Sequence, residues 1–280
     1  MAKDFIGLVK TSKTPHQSPM NMFNFILKDS FSFEGLVSIG AIAQIALVTV
    51  LPFRVAVLPA ALFVIYTVIT TAMQLPSIKD SKYMEGVLTQ RTSAQLPHTH
   101  NGRFGSEPGA QPVVVFHFGV RFNHPLGIFS PGARETVAHF NKCNEMAVSK
   151  ADEYGMLGFS PWRAGERSNN NTLMLVYFFK DVESLNKFAH DDIHRKAWDW
   201  IVKTDHKHIG FFHESFCVPR QAYETIYVNF QPILMGSTSI KCADEEGGET
   251  YVQPVVSADT GPLKSQFGRM GRAFKEHGGS

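Results

Sequence analysis

The sequence predicts an α+β protein: an antiparallel sheet with two helices on one face, preceded by a two-helix membrane hairpin. Two observations carry this. From Leu36 to Met73 the chain holds almost no charge: the 18 residues LVSIGAIAQIALVTVLPF lead to Arg54, and the 19 residues VAVLPAALFVIYTVITTAM follow. From Pro112 to Phe230, short runs of β-branched and aromatic residues alternate with two amphipathic stretches. Their order is strand, helix, strand, strand, helix, strand.

At 280 residues the chain allows one or two domains, and its net charge of +2 gives no ground for a nucleic-acid partner. Cys143, Cys217 and Cys242 are far apart in sequence and form neither a disulfide framework nor a CxxC knuckle, which fits a reducing compartment. The domain boundaries expected are 1–34 for a polar or interfacial segment, 35–74 for the hairpin, 75–111 for a linker, 112–230 for the sheet domain and 231–280 for an irregular tail.

At ~1.5 Å per residue each half of the apolar run spans roughly 27–29 Å, close to a ~30 Å hydrocarbon core. One unbroken helix would be twice too long, so the chain turns at Pro52-Phe53-Arg54. The alternative is a buried helical hairpin in a soluble protein, but soluble helices show a polar face and these do not. A signal peptide does not fit, because a second apolar run follows the first. Pro52, Arg54 and Pro59 are awkward at full depth, which keeps a shallow wedge in one leaflet open. Lys3, Lys10, Lys13 and Lys28 precede the hairpin, and Lys79, Lys82 and Arg91 follow it. The positive-inside rule therefore puts both ends in the cytosol.

Phe5, Ile6, Phe23, Phe25, Ile26, Phe31 and Phe33 sit among polar residues, as in either an interfacial helix or a loose tail. Residues 76–111 show little periodicity and read as a linker with one short helix near Ser77–Gln90; the HxH of His98 and His100 has no third ligand near it.

In the sheet domain, VVVFHFGVRF after Pro112 alternates. Val114, Phe116, Phe118 and Val120 form a core face, and His117 and Arg121 lie on the other, lining a site or covered by a partner subunit or by helices. Pro131 opens a helix that runs to about Glu153, with Val137, Phe140, Asn141, Asn144 and Val148 on one stripe and Gly155 at its end. MLGFSPWRA is the second strand, with Trp162 as a packing residue, and ERSNNNT is the hairpin loop into the third strand, Leu173–Phe179. Asp181 and Glu183 start the second helix, whose apolar face is Val182, Leu185, Ala189, Ile193, Ala197 and Trp200. Ile209–Val218 is the fourth strand and Tyr223–Phe230 an extra one. This is the ferredoxin-like order. Its helices cover one face only, so the other needs a second copy or an extra element.

His194, Ala197 and Trp198 form an HxxAW motif. His213, Glu214, Val218, Pro219, Tyr223, Glu224, Ile226, Tyr227 and Asn229 follow in the order HE, VP, YE, IY, N, and Arg121 with Asn123 forms RxN after the first strand. Over roughly residues 110–230 the chain resembles the small-barrel monooxygenases of fungal and bacterial secondary metabolism. That family has members in fumagillin-type pathways and is related to antibiotic-biosynthesis monooxygenases. The resemblance implies a ferredoxin-like unit that often pairs into a dimeric barrel, hence a homodimer. With the anchor it implies a lipophilic terpenoid or polyketide substrate that partitions into a membrane, the endoplasmic reticulum in a eukaryote, with the domain in the cytosol.

Three chemistries compete. His190 and His194 share a helix face and suggest a metal with His208 or His213, but HExxH is absent and no metal is expected. Related folds hold haem through a helix histidine, here His194; without CxxCH it would not be covalent. In the third, no cofactor is needed: His194 or His213 takes a proton from an activated carbon and the carbanion reduces oxygen. Arg121 or Asn123 would hold the oxyanion, and Tyr177, Trp198, Tyr227 and His117 would wall a lipophilic pocket or serve simply as packing. Glu214 alternates away from His213 and anchors Arg163 or Arg220 instead. A haem-dependent lyase or isomerase and a non-catalytic pathway scaffold are the rival functions. GRMGR lacks the context of a phosphate loop, and no hydrolase triad or dinucleotide turn is present.

Overall fold

A computed structural model describes residues 3–16, 28–244 and 246–272. The uncharged run folds as three helices: α1 (Phe33–Val50), α2 (Phe53–Ala56) and α3 (Leu58–Ala72). Ser32 caps α1 by accepting the Gly35 amide at 3.1 Å, and Pro59 sits in the first turn of α3, where its missing N–H costs nothing. The turn at residues 51–57 is tied by Gln44 Nε2, which donates to the Ala56 carbonyl at 3.2 Å. No residue of α1 or α3 is buried, and both stretches, Phe33–Val50 and Phe53–Ala72, are long and apolar enough to cross a membrane.

After β1 (Leu88–Ala94) come the elements of the main sheet: β2 (Val113–Phe122), α4 (Ala133–Ser149), β3 (Met156–Arg163), β4 (Leu173–Phe179), α5 (Val182–Ala189), α6 (Asp192–Thr204) and β5 (Ile209–Val218). The sheet order is β3-β4-β2-β5 with every neighbouring pair antiparallel. This is the ferredoxin-like connection pattern. Val114, Phe116, Leu175, Tyr177 and Phe179 pack against Met146 and Ala147 of α4 and Leu185 and Phe188 of α5, so the even-numbered core face of β2 lies under the helices.

Where one long second helix was expected, two helices meet at His190–Asp191. A second cap makes the break. Asp181 caps α5 through the Ser184 amide, while Asp191 accepts the Ile193 amide at 2.9 Å and starts α6 afresh. The expected apolar stripe is cut as a result, and Ile193 is 39% exposed.

The opposite face of the sheet is not bare. Val113, Val176 and Phe178 pack with Phe5, Ala94, Phe104, Met235, Ile240, Val252, Val256 and Leu263 in one core. The stretches expected as linker and irregular tail thus supply a second layer together with the expected extra strand, which is shortened to β6 (Tyr227–Phe230) and pairs away from the main sheet: β6, β1 and β9 (Val255–Ser257) form one small sheet, and β7 (Ile240–Ala243) pairs with β8 (Glu249–Val252). The 3–16 segment is neither loose nor helical. It bridges Val256 through Gly7 and Tyr251 through Ser12, and Phe5 enters the core. Phe23, Phe25 and Ile26 lie outside the described residues. After the 3-10 turn Gly261–Lys264, the short helix α7 (Gln266–Arg269) sends Arg269 inward to pair with Glu224, so the GRMGR segment serves packing. The edge strand β5 stays open on this side, with Phe216 48% exposed.

Candidate functional site

A cleft of about 890 Å³ lies between the helical layer and the sheet. Its floor is Phe116 and Phe118 of β2, Tyr177 of β4, and His213 and Ser215 of β5. Phe140 and Cys143 come from α4, Phe188 from α5, and His194, Ala197 and Trp198 from α6. The floor follows from register: His213 is paired with Phe118, so both point to the helices, and Glu214, paired with His117, points away.

His194 owes its position to the break between α5 and α6. Its Nδ1 lies 2.9 Å from the Ala189 carbonyl, five residues back and across the break. A carbonyl only accepts, so Nδ1 carries the proton and the Nε2 lone pair is left for the cleft. Burial lowers the His194 pKa below the ordinary 6.5, with nearby His213 and His190 pushing the same way against the Ala189 bond and Asp191. At neutral pH the ring is uncharged and basic. It packs on Phe188, with 5.2 Å between ring centroids.

Tyr177 donates its hydroxyl to Asn144 Oδ1 at 3.0 Å, and burial pushes its phenol well above the usual range, so it stays protonated. Cys143 is held as a thiol, pushed up to about 11 by burial and by Asp191. Trp198 is 54% exposed at the rim. At one end of the cleft His139 packs against Trp200, 4.9 Å between ring centroids, and Arg195 contributes to the wall. Asn144 and Phe140 were legible from the stripe on the first helix. Cys143 and Arg195 carried no signal of their own, because neither falls in a pattern.

The eight candidate residues separate into three places. His194, His213, Tyr177 and Trp198 share the cleft. His117 and Tyr227 line a smaller cavity of about 490 Å³ across the sheet, with Trp162 and Tyr223. There His117 Nδ1 faces Glu214 Oε2 at 3.8 Å, and the Tyr227 hydroxyl accepts the Gly236 amide at 3.0 Å. Arg121 and Asn123 lie outside both cavities. Arg121 Nε donates to Asn123 Oδ1 at 2.9 Å, Arg167 reaches the same oxygen at 3.2 Å, and Arg121 faces Glu166 at 3.6 Å. They fasten the end of β2 to the β3–β4 loop.

Glu214 anchors neither Arg163 nor Arg220; Arg163 pairs with Asp29 at 3.4 Å. His190 and His208 are turned to the Asn186 and Pro131 carbonyls, at 2.8 and 2.9 Å. Among the described residues no three His, Cys, Asp or Glu side chains are grouped so as to hold a metal ion.

Residues 113–235 match the family model described as monooxygenase af470-like. Monooxygenase af470 of Aspergillus fumigatus is 38% identical over 266 residues, covering 95% of this chain and 96% of that protein. Among solved structures, the cofactor-independent oxygenase SnoaB of Streptomyces nogalater aligns at 11% identity over 38% of this chain and 91% of its own, with a TM-score of 0.27. A dimeric ferredoxin-like protein from an uncultured marine organism aligns at 15% identity over 39% of this chain and 96% of its own, with a TM-score of 0.28. With 38% identity sustained along nearly its whole length, the chain belongs to the af470-like monooxygenase family and is an oxidoreductase of the monooxygenase class.

Proposed function

We propose that the protein is a membrane-anchored monooxygenase that oxidises a lipophilic secondary metabolite, a terpenoid or polyketide intermediate, in the cleft between helices and sheet. The observation that carries this reading is the neutral His194, its Nε2 lone pair open to an aromatic-lined cleft of about 890 Å³. His194 takes a proton from a carbon activated by a neighbouring carbonyl or phenol. The carbanion passes electrons to oxygen, and the peroxide so formed collapses. A methylene with one O₂ then becomes a carbonyl and one water, so the substrate supplies all four electrons. The charge on the substrate oxygen meets the Arg195 guanidinium, because Arg121 and Asn123 stand outside the cleft. His213 completes the polar floor, and Tyr177 and Trp198 hold the apolar body.

The helices α1 and α3 form the anchor, entering and leaving on one side, with the catalytic domain in the cytosol at the endoplasmic reticulum. Pairing with a second copy would use the open edge and far face of β5. The 112–230 unit would then be catalytic, with the flanking segments as its second layer. Incubating the purified chain under ¹⁸O₂ with lipophilic extract from the producing cells tests the reaction. One labelled oxygen per product, lost in His194→Ala, supports it. Label that persists in that variant overturns it.

Haem is the second reading, because a nitrogen free to act as a base is also free to ligate iron. His194 would ligate the iron and Arg195 would pair with a propionate. When bound, haem would supply iron redox chemistry. The visible absorption spectrum of the purified chain separates the two.

A further inference from the structure

We infer that the loop Pro125–Phe129 is a second membrane contact, dipping its apolar tip into the lipid interface beside the anchor. Single exposed apolar residues are ordinary on protein surfaces. What marks this loop is where it is held. Leu126 is 59% exposed and Phe129 70%, while Gly127 between them is buried. Gly127 is packed so closely on the Asn170 amide that a Cβ would lie 2.0 Å from Asn170 Oδ1, and Asn170 Nδ2 donates to the His124 carbonyl at 3.2 Å.

Asn170 is in turn locked to the base of the anchor. Its backbone N–H donates to the Asp29 carbonyl at 2.8 Å. The buried Asp29 carboxylate accepts the Asn171 amide at 2.9 Å and Asn171 Nδ2 at 2.7 Å, and it faces Arg163 at 3.4 Å. Asp29 stands four residues before Phe33, where α1 begins with its ring exposed. The loop therefore sits where the first apolar helix leaves the domain.

The inference rests on α1 and α3 being the membrane anchor, and it adds that the domain lies against the same membrane in a fixed orientation. Lys28, Arg163 and Arg167 are exposed around this junction, which suits anionic headgroups at the surface and apolar tips just below it. The placement also bears on substrate supply. The loop runs directly into α4, whose Thr136 and His139 line one end of the cleft. A lipophilic substrate would leave the bilayer beside Leu126 and Phe129 and meet that end first.

The test uses the full chain with Cys143→Ala and Cys217→Ala, which leaves only the buried Cys242. An environment-sensitive nitrobenzoxadiazole label is placed on Phe129→Cys, on Ile65→Cys in the middle of α3, or on Asp259→Cys in the far layer. Each protein is reconstituted into phosphatidylcholine–phosphatidylserine vesicles, with or without lipid bearing a nitroxide near the headgroup or deep in the chain. The expected result is a blue shift and loss of emission at position 129, strongest with the shallow nitroxide. The deep nitroxide should quench position 65, and neither should quench position 259. Quenching at 65 with 129 behaving like 259 overturns the loop contact and leaves the anchor standing. No quenching at 65 or 129 overturns both. Equal quenching at 129 and 259 also overturns the loop contact.

Discussion

Asp191→Ala asks whether the break between α5 and α6, on which the placement of His194 depends, is held by one carboxylate. The Asp191 side chain is only 14% exposed. Oδ1 accepts the Ile193 amide at 2.9 Å; Oδ2 accepts the Tyr154 hydroxyl at 2.6 Å and Lys150 Nζ at 2.9 Å. Removing an N-cap costs about 1 kcal/mol. Orphaning the hydroxyl of Tyr154, itself buried, forfeits a charge-assisted bond of about 1.5–3 kcal/mol. The half-exposed lysine contributes at most about 1 kcal/mol. The expected loss is about 2.5–5 kcal/mol. Asp191→Asn keeps an amide oxygen for the Ile193 N–H, while its NH2 in the place of Oδ2 can only donate to the Tyr154 oxygen, so it should lose about half as much.

The same donors, the Tyr154 hydroxyl first and Lys150 next, hold the Asp191 carboxyl at about 2. An unfolded aspartate titrates near ~3.9, so this stabilisation is complete above that value and fades as pH falls through the folded one. Urea unfolding of the detergent-solubilised chain, at neutral pH and across that acid window, reads both effects. A change of less than about 0.5 kcal/mol in Asp191→Ala, the size of an ordinary surface substitution, would refute the reasoning.

His194→Asn keeps a donor for the Ala189 carbonyl but offers no base. Turnover should fall about 10²- to 10⁴-fold, as in His194→Ala, with the urea midpoint better preserved than in the alanine variant. Because burial holds His194 below 6.5, the acid limb of the pH–rate profile should have its midpoint below that pH. An acid limb with its midpoint above 6.5 would assign the base elsewhere. Arg269→Ala strands the partly buried Glu224 carboxylate and should cost roughly 2–4 kcal/mol by chemical denaturation; an unchanged midpoint would mean the last described segment is not part of the folded unit. In Gly119→Ala the new Cβ would fall 2.1 Å from the Phe212 ring, so that ring must swing off β5 at about 1–3 kcal/mol. Faster hydrogen exchange along β5 should accompany the loss, and unchanged exchange there would contradict the packing.

What the sequence determined alone was whatever is written in a local period. Two uncharged runs around Arg54 define an apolar helical pair, and the alternation of β2 separates Phe116 from His117. The strand–helix order of 112–218 puts the stretch that carries His194 on a helix packed over the sheet. What tertiary structure decided was everything set by partners distant in sequence. The strands β7 to β9 have three or four residues each, too short to show a period, and they become strands only because β7 pairs with β8, β9 pairs with β1, and the far face of the main sheet buries them. The helix break at Asp191 depends on Tyr154 and Lys150, about forty residues earlier. Arg121 and Asn123 left the candidate site because the β3–β4 loop, also about forty residues away, supplies their partners Glu166 and Arg167. Local periodicity can assign a side chain to a face. Which distant group neutralises or covers it depends on how the chain closes on itself.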